Sequence, residues 1–257
     1  MVKLISILFV FLLSIPAIGN ISGKSCEQTI NTIKLKKELK ISLIIGYKDA
    51  RPARFVGDRY EKNVVVYKLE KECAGEEILC GFKRSENDAF LFTKIWNDKK
   101  LLIRVLNSSV TEDDDENRQH PFQNWLSQRA RKEFLLSLHQ ADILFYNGHS
   151  RAGGGPDFFP PLLKKDMQVD FTRYKNGYGS FHQILNYFKK INQPLKILGL
   201  FSCNATQLFE KDLATKQKEV MLITAPHLIY FKEALDKSLF ALDAILRYDC
   251  NRLNQLL

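Results

Sequence analysis

The chain has 257 residues, 45% of them hydrophobic, and a formal net charge of +9 at pH 7. That hydrophobic share is ordinary for a globular protein and allows a sizeable core, and no fixed-period repeat or low-complexity tract interrupts it. The basic balance favours acidic surfaces or partners, but Lys and Arg are scattered without a dense block, which argues against nucleic acid because phosphate binding needs charge gathered on one face.

Met1-Val2-Lys3 leads into an apolar stretch from Leu4 to Pro16, relieved by Ser6 and Ser14, and then into Ala17-Ile18-Gly19. A basic start, an apolar run and a small-x-small end predict a secretory signal peptide over 1–19, cleaved after Gly19, with one domain over 20–257. The run falls short of the roughly 20 apolar residues of a membrane helix and contains Pro16, and no later stretch approaches that length. Gly23-Lys24-Ser25 ahead of Cys26 lacks the pattern of a lipid-modified cysteine. The expected product is exported, periplasmic or secreted, with no integral membrane segment after cleavage.

In an oxidising compartment an even set of cysteines pairs and an odd one needs a reason. Cys73 and Cys80 bracket a polar tip containing Gly75, and Cys26 and Cys250 lie near opposite ends of the mature chain. Bridges Cys73–Cys80 and Cys26–Cys250 are expected, because domain termini tend to lie close together. Cys203 is left over. A zinc site at Cys73 and Cys80 would need two further ligands nearby, and the sequence supplies none, so no metal is expected.

Ile41–Tyr47 is a short apolar run that predicts a buried strand, and Asn63–Leu69, with three consecutive valines, predicts another. Ala89–Trp96 and Leu101–Leu106 flank Asn97-Asp98-Lys99-Lys100 and predict a hairpin or one more core strand. The acidic run Thr111–Asn117 lacks the glycine turn of a calcium loop and predicts a solvated loop. Apolar residues spaced by three and four predict a helix over Pro121–Gln140, followed by a strand over Ala141–Tyr146. After an irregular stretch to Gly179 come a helix from Ser180, a strand over Leu195–Phe201, a helix over Asn204–Ala214, a strand over Val220–Thr224 and a long helix over Glu233–Leu256. Alternating strands and helices predict an α/β three-layer sandwich, a mostly parallel central sheet flanked by helices. In such sheets reactive groups gather beyond the carboxyl ends of the strands, where His149 and Cys203 both fall.

Two different catalysts fit residues 146–155, "YNGHSRAGGG". Gly148-His-Ser-Arg-Ala152 matches a G-x-S-x-[GA] nucleophile elbow, completed by downstream aspartate with His182 or His227. An elbow, however, needs a helix directly after the nucleophile, and glycines and prolines up to Pro161 follow Ser150. Alternatively His149 is the base, and Cys203, at the end of an apolar strand ahead of a predicted helix, is the nucleophile. Singly, a buried cysteine or a loop histidine is ordinarily structural. Two such residues at two strand ends with this spacing, with the thiol unpaired, favour chemistry, and if the two strands are neighbours the base lies within reach of the nucleophile.

The stretches "ILFYNGHSRAGGG" and "ILGLFSCNATQLF" resemble the caspase-like cysteine peptidases, which include caspases, legumains and gingipains: a hydrophobic strand ends in histidine beside glycine, and about fifty residues later another ends in a small residue plus cysteine. The resemblance implies a caspase-like α/β fold, hydrolysis of a peptide or protein substrate, Cys203 as nucleophile, His149 as proton-transfer residue, and no cofactor. It also implies an oxyanion site made of the backbone N–H groups of Ser150 and Cys203. That family usually places glycine directly after the histidine, whereas here Ser150 holds the place and Gly148 precedes. A pocket charge selects its substrate residue, for which Asp157, Asp170 and Arg51 are candidates. A catalytically silent module that binds peptides or proteins, and a serine hydrolase acting through Ser150, stay open beside the cysteine endopeptidase.

Overall fold

The computed structural model describes residues 20–48, 57–178, 181–188, 195–216 and 218–256. The predicted signal peptide and Arg51 lie outside them. Strands β1 (Asn20–Gly23), β2 (Glu38–Ile45), β3 (Lys83–Arg84), β4 (Leu91–Trp96), β5 (Lys99–Leu106), β6 (Ile143–Asn147), β7 (Ile197–Phe201) and β8 (Met221–Thr224) form one mixed sheet in the order β1-β8-β7-β6-β2-β5-β4-β3. From β8 to β5 neighbours run parallel. The outer pairs β1/β8, β4/β5 and β3/β4 are antiparallel.

Each central strand is buried on both faces, so its side chains alternate between two helix layers. Ile143 and Phe145 of β6 join a core with helices α1 (Cys26–Lys34), α2 (Asp58–Glu70), α8 (Phe231–Leu246) and α9 (Cys250–Asn254). Leu144 and Tyr146 join a second core with α4 (Gln123–Gln140), α6 (Phe181–Phe188) and α7 (Lys211–Lys216). The remaining short helices are α3 (Asp114–Gln119) and α5 (Phe171–Arg173). The predicted hairpin is β4/β5; Asn97 and Asp98 make its tight turn with φ of 48° and 59°.

Three expected elements away from the candidate site are different in the structure. Residues 63–69 are helical, inside α2, because the stripe that meets the core is Asp58, Glu61, Val65 and Leu69 at helical spacing, while Val64 and Val66 are only partly buried. The acidic run opens α3: the Asp113 carboxylate caps the N–H groups of Asp115 and Glu116, and Asp114 is buried against the Tyr47 hydroxyl at 2.5 Å and Arg118 Nε at 3.0 Å. Negative side chains at a helix N-terminus meet free N–H groups and the positive end of the dipole. The long terminal helix is two helices, broken at Tyr248, whose φ is +60°. Helix α1 and strand β1 were not expected from sequence.

The bridges form as expected, Cys26–Cys250 tying α1 to α9 and Cys73–Cys80 closing the tip after α2; Cys203 is free. Among the described residues no helix is long and apolar enough to cross a membrane.

Candidate active site

The register fixes which strand ends are neighbours. Ile45 of β2 stands opposite Asn147 of β6, and Asn147 opposite Phe201 of β7. The ladder continues one step beyond, with Gly46 N–H donating to the Asn147 carbonyl at 2.9 Å and Gly148 N–H to the Phe201 carbonyl at 3.4 Å. Lys48, His149 and Cys203 follow at three adjacent carboxyl ends. A Cβ at Gly46 or Gly148 would lie 2.4 or 2.3 Å from the Tyr146 hydroxyl oxygen, so the ring of Tyr146 requires glycine at both positions.

His149 is partly buried, and its Nε2 is shut off from solvent. Its ring meets the Phe231 ring edge-on, with centroids 5.3 Å apart and planes at 74°. Burial, reinforced by the charges of Arg151 and Lys48, pushes the imidazole pKa well below its ordinary value. The ring is therefore neutral at neutral pH, the state in which it can accept a proton.

Cys203 is half-buried, and its thiol donates to the Ile229 carbonyl at 3.6 Å. The turn that holds it is tied to the connection between β8 and α8 by Asn204 N–H to His227 O at 2.9 Å and Thr206 N–H to Ala225 O at 3.1 Å. The helix expected from Asn204 starts later: Asn204 is left-handed (φ 54°), a π-helical turn covers Thr206–Glu210, and α7 follows. Cys203 thus sits in a turn ahead of the helical segment. Among the described residues the backbone N–H groups of Ser150 and Cys203 donate to no carbonyl.

After His149 the chain makes a three-residue turn, Arg151–Gly153, with left-handed φ at Arg151 (46°), Ala152 (52°) and Gly153 (96°), and no regular helix follows Ser150. The next two glycines allow close packing: a Cβ at Gly154 would lie 2.7 Å from the Tyr174 side chain, and one at Gly155 2.5 Å from the His149 carbonyl. Arg151 Nε binds the Asp157 carboxylate at 2.6 Å, the Tyr174 hydroxyl donates to the same oxygen at 3.2 Å, and the guanidinium lies 5.5 Å from the Tyr174 ring centroid. Asp157 is buried and neutralised by this pair, and Asp170 accepts from the Arg173 N–H at the start of α5. Of the three candidate specificity charges, the two among the described residues are engaged locally.

Sequence reasoning missed a buried polar cluster beside these groups. The Lys48 ammonium binds the Glu61 carboxylate and, at 3.1 Å, Asn147 Oδ1; Asn147 Nδ2 donates back to Glu61 Oε2 at 3.1 Å. Lys48 Nζ also lies 4.8 Å from the Phe231 ring centroid. Asp58 accepts from Ser108 N–H and Ser109 N–H at 2.7 Å each, fixing the loop after β5. Burial raises the pKa of both carboxyls, that of Glu61 to about 7, and burial lowers that of Lys48 against the opposing pull of Glu61. A signal for Lys48 existed: it directly follows the apolar run Ile41–Tyr47, the same placement that singled out His149 and Cys203. Comparison with models of known protein families, with curated proteins and with solved structures found no match.

Proposed function

We propose that the chain is an exported cysteine endopeptidase of the caspase-like kind, using Cys203 as nucleophile and His149 as proton-transfer residue. The observation that carries this reading is the pairing of β6 with β7, which brings a neutral, buried imidazole and an unbridged thiol to adjacent strand ends. The two disulfides support an oxidising compartment.

In the proposed reaction His149 takes the thiol proton as Cys203 sulfur attacks the scissile carbonyl carbon. The oxyanion is met by the backbone N–H groups of Ser150 and Cys203; a backbone donor survives the replacement of glycine by Ser150. Collapse breaks the C–N bond, the amine leaves with the proton from His149, and the acyl-enzyme remains. Water, deprotonated by His149, then releases the acid and restores the thiol.

The first test is mass spectrometry of the intact protein after iodoacetamide, without reductant. One adduct, mapped to Cys203, supports the nucleophile and leads to a peptide-library screen in which Cys203→Ala and His149→Ala each abolish turnover with the fold intact. Turnover retained in either variant refutes the dyad. A binding module without catalysis is favoured by one observation, the resting thiol contact with Ile229, and an unreactive Cys203 would select it. Labelling by a fluorophosphonate, indifferent to Cys203→Ala, would select Ser150 instead.

A further inference from the structure

Phe231 opens α8, yet it belongs to neither hydrophobic core and is only half-buried. Side chains of a helix lean toward its N-terminus, so the first residue projects beyond the helix end. Because β8 runs parallel to β7 and leads into α8, that end lies at the carboxyl edge of the sheet, where His149 and Cys203 stand. Among the described residues the ring has one aromatic and one cationic contact. The His149 imidazole meets it with centroids 5.3 Å apart and planes at 74°, an edge-on pairing that aromatic quadrupoles favour over a face-to-face stack. The Lys48 ammonium lies over the ring, 4.8 Å from its centroid, and is itself held by Glu61 and Asn147. The ring thus bridges a fixed cation and the imidazole. Two residues earlier the buried Ile229 anchors the same connection in the core, and its carbonyl takes the Cys203 thiol at 3.6 Å. One short connection therefore touches both members of the proposed dyad.

We propose that Phe231 is a positioning residue for His149: its ring, seated against the Lys48 ammonium, holds the imidazole in the one orientation in which it takes the Cys203 proton. This rests on the endopeptidase reading for its catalytic meaning, whereas the restraint on the imidazole stands apart from it. His149 lies past the end of β6 and ahead of the left-handed turn Arg151–Gly153, so no regular element of its own fixes its side chain. Histidine has three staggered χ1 wells and a broad, two-fold χ2, so an imidazole sampling them evenly spends on the order of a sixth of its time in any one orientation. A leucine at 231 would keep apolar volume beside His149 but offer no ring for edge-on pairing. A tyrosine would keep the ring.

The test uses the full chain with isotope-labelled histidine, as wild type, Phe231→Leu and Phe231→Tyr, and measures the NMR order parameter of the His149 imidazole. The wild-type imidazole is expected to match ordered backbone at about 0.85, to fall below about 0.6 in Phe231→Leu and to keep the wild-type value in Phe231→Tyr. On a peptide that the wild type cleaves, Phe231→Leu is expected to lower kcat about fivefold with KM unchanged, and Phe231→Tyr to restore it. A Phe231→Leu imidazole as rigid as that of wild type, or a Phe231→Tyr imidazole as loose as that of Phe231→Leu, overturns the proposal. If Phe231→Leu does not fold, Phe231→Met takes its place, and a wild-type order parameter below about 0.6 overturns the proposal without any variant. Order parameters as expected in a protein that cleaves no peptide would support the restraint on His149 and remove the endopeptidase reading.

Discussion

Replacing Tyr146 by phenylalanine removes one oxygen from the centre of the loop that carries His149. That hydroxyl accepts from the Asp157 N–H at 2.8 Å and stands 3.0 Å from the His149 carbonyl and 3.1 Å from the Asp157 carbonyl. The ring keeps its edge contacts with Phe134 and Phe158, so no cavity opens. The Asp157 carbonyl retains the Tyr47 N–H at 3.0 Å, while the Asp157 N–H loses its partner in a buried place. A lost net hydrogen bond of about 1 kcal/mol and a stranded buried donor of about 1–3 kcal/mol give a destabilisation of about 2–4 kcal/mol. For a domain of this size class each kcal/mol moves Tm by about 2–4 °C, so Tyr146→Phe is expected to melt about 4–16 °C below wild type. Differential scanning calorimetry at pH 7 reads this directly. A fall of less than about 2 °C, below the smallest of these terms, would show that the hydroxyl does not hold the loop.

Arg151→Leu leaves the Asp157 carboxylate buried and uncompensated, and denaturant unfolding is expected to show a loss of about 3–5 kcal/mol, most of it recovered in Arg151→Leu/Asp157→Asn; no recovery would mean that the pair is not the source. Chain entropy sets removal of Cys26–Cys250 at about 5 kcal/mol and of Cys73–Cys80 at about 2 kcal/mol, so serine pairs at the two sites should rank in that order in non-reducing urea titrations. His149 has a folded pKa well below its unfolded value of about 6.5, so its contribution is fully present above pH 6.5 and is lost as pH falls toward the folded pKa. His149→Gln should therefore flatten the decline of stability on acidification below pH 6.5, and an imidazole NMR titration with an ordinary midpoint would contradict the burial argument.

The parallel strands at the centre of the sheet were legible because each is built on a short, mostly apolar run, and the cysteine pairing followed from position alone. What failed did so for a common reason. The buried stripe of α2 begins with Asp58 and Glu61, which look polar in sequence, so the β-branched run Val64–Val66 dominated the local pattern although only Val65 packs fully into the core. Asp114 was hidden in the same way, because its burial depends on Tyr47 and Arg118, the former from a distant segment. His149 and Cys203 were singled out as candidates by a rule about strand ends. Lys48 obeys the same rule, but its partners come from α2 and β6, and a lysine in one dimension looks like solvent-facing charge.

The Cys26–Cys250 bridge closes nearly the whole described chain into a covalent ring. A single backbone cut between those cysteines, for instance within the irregular stretch that separates His149 from Cys203, would place the two residues on different polypeptides without releasing either. The nicked molecule would run as one species until reduced and as two afterwards. Loss of mass on a non-reducing gel is thus a blind assay for internal cleavage of this protein, and the reduced lane is the informative one.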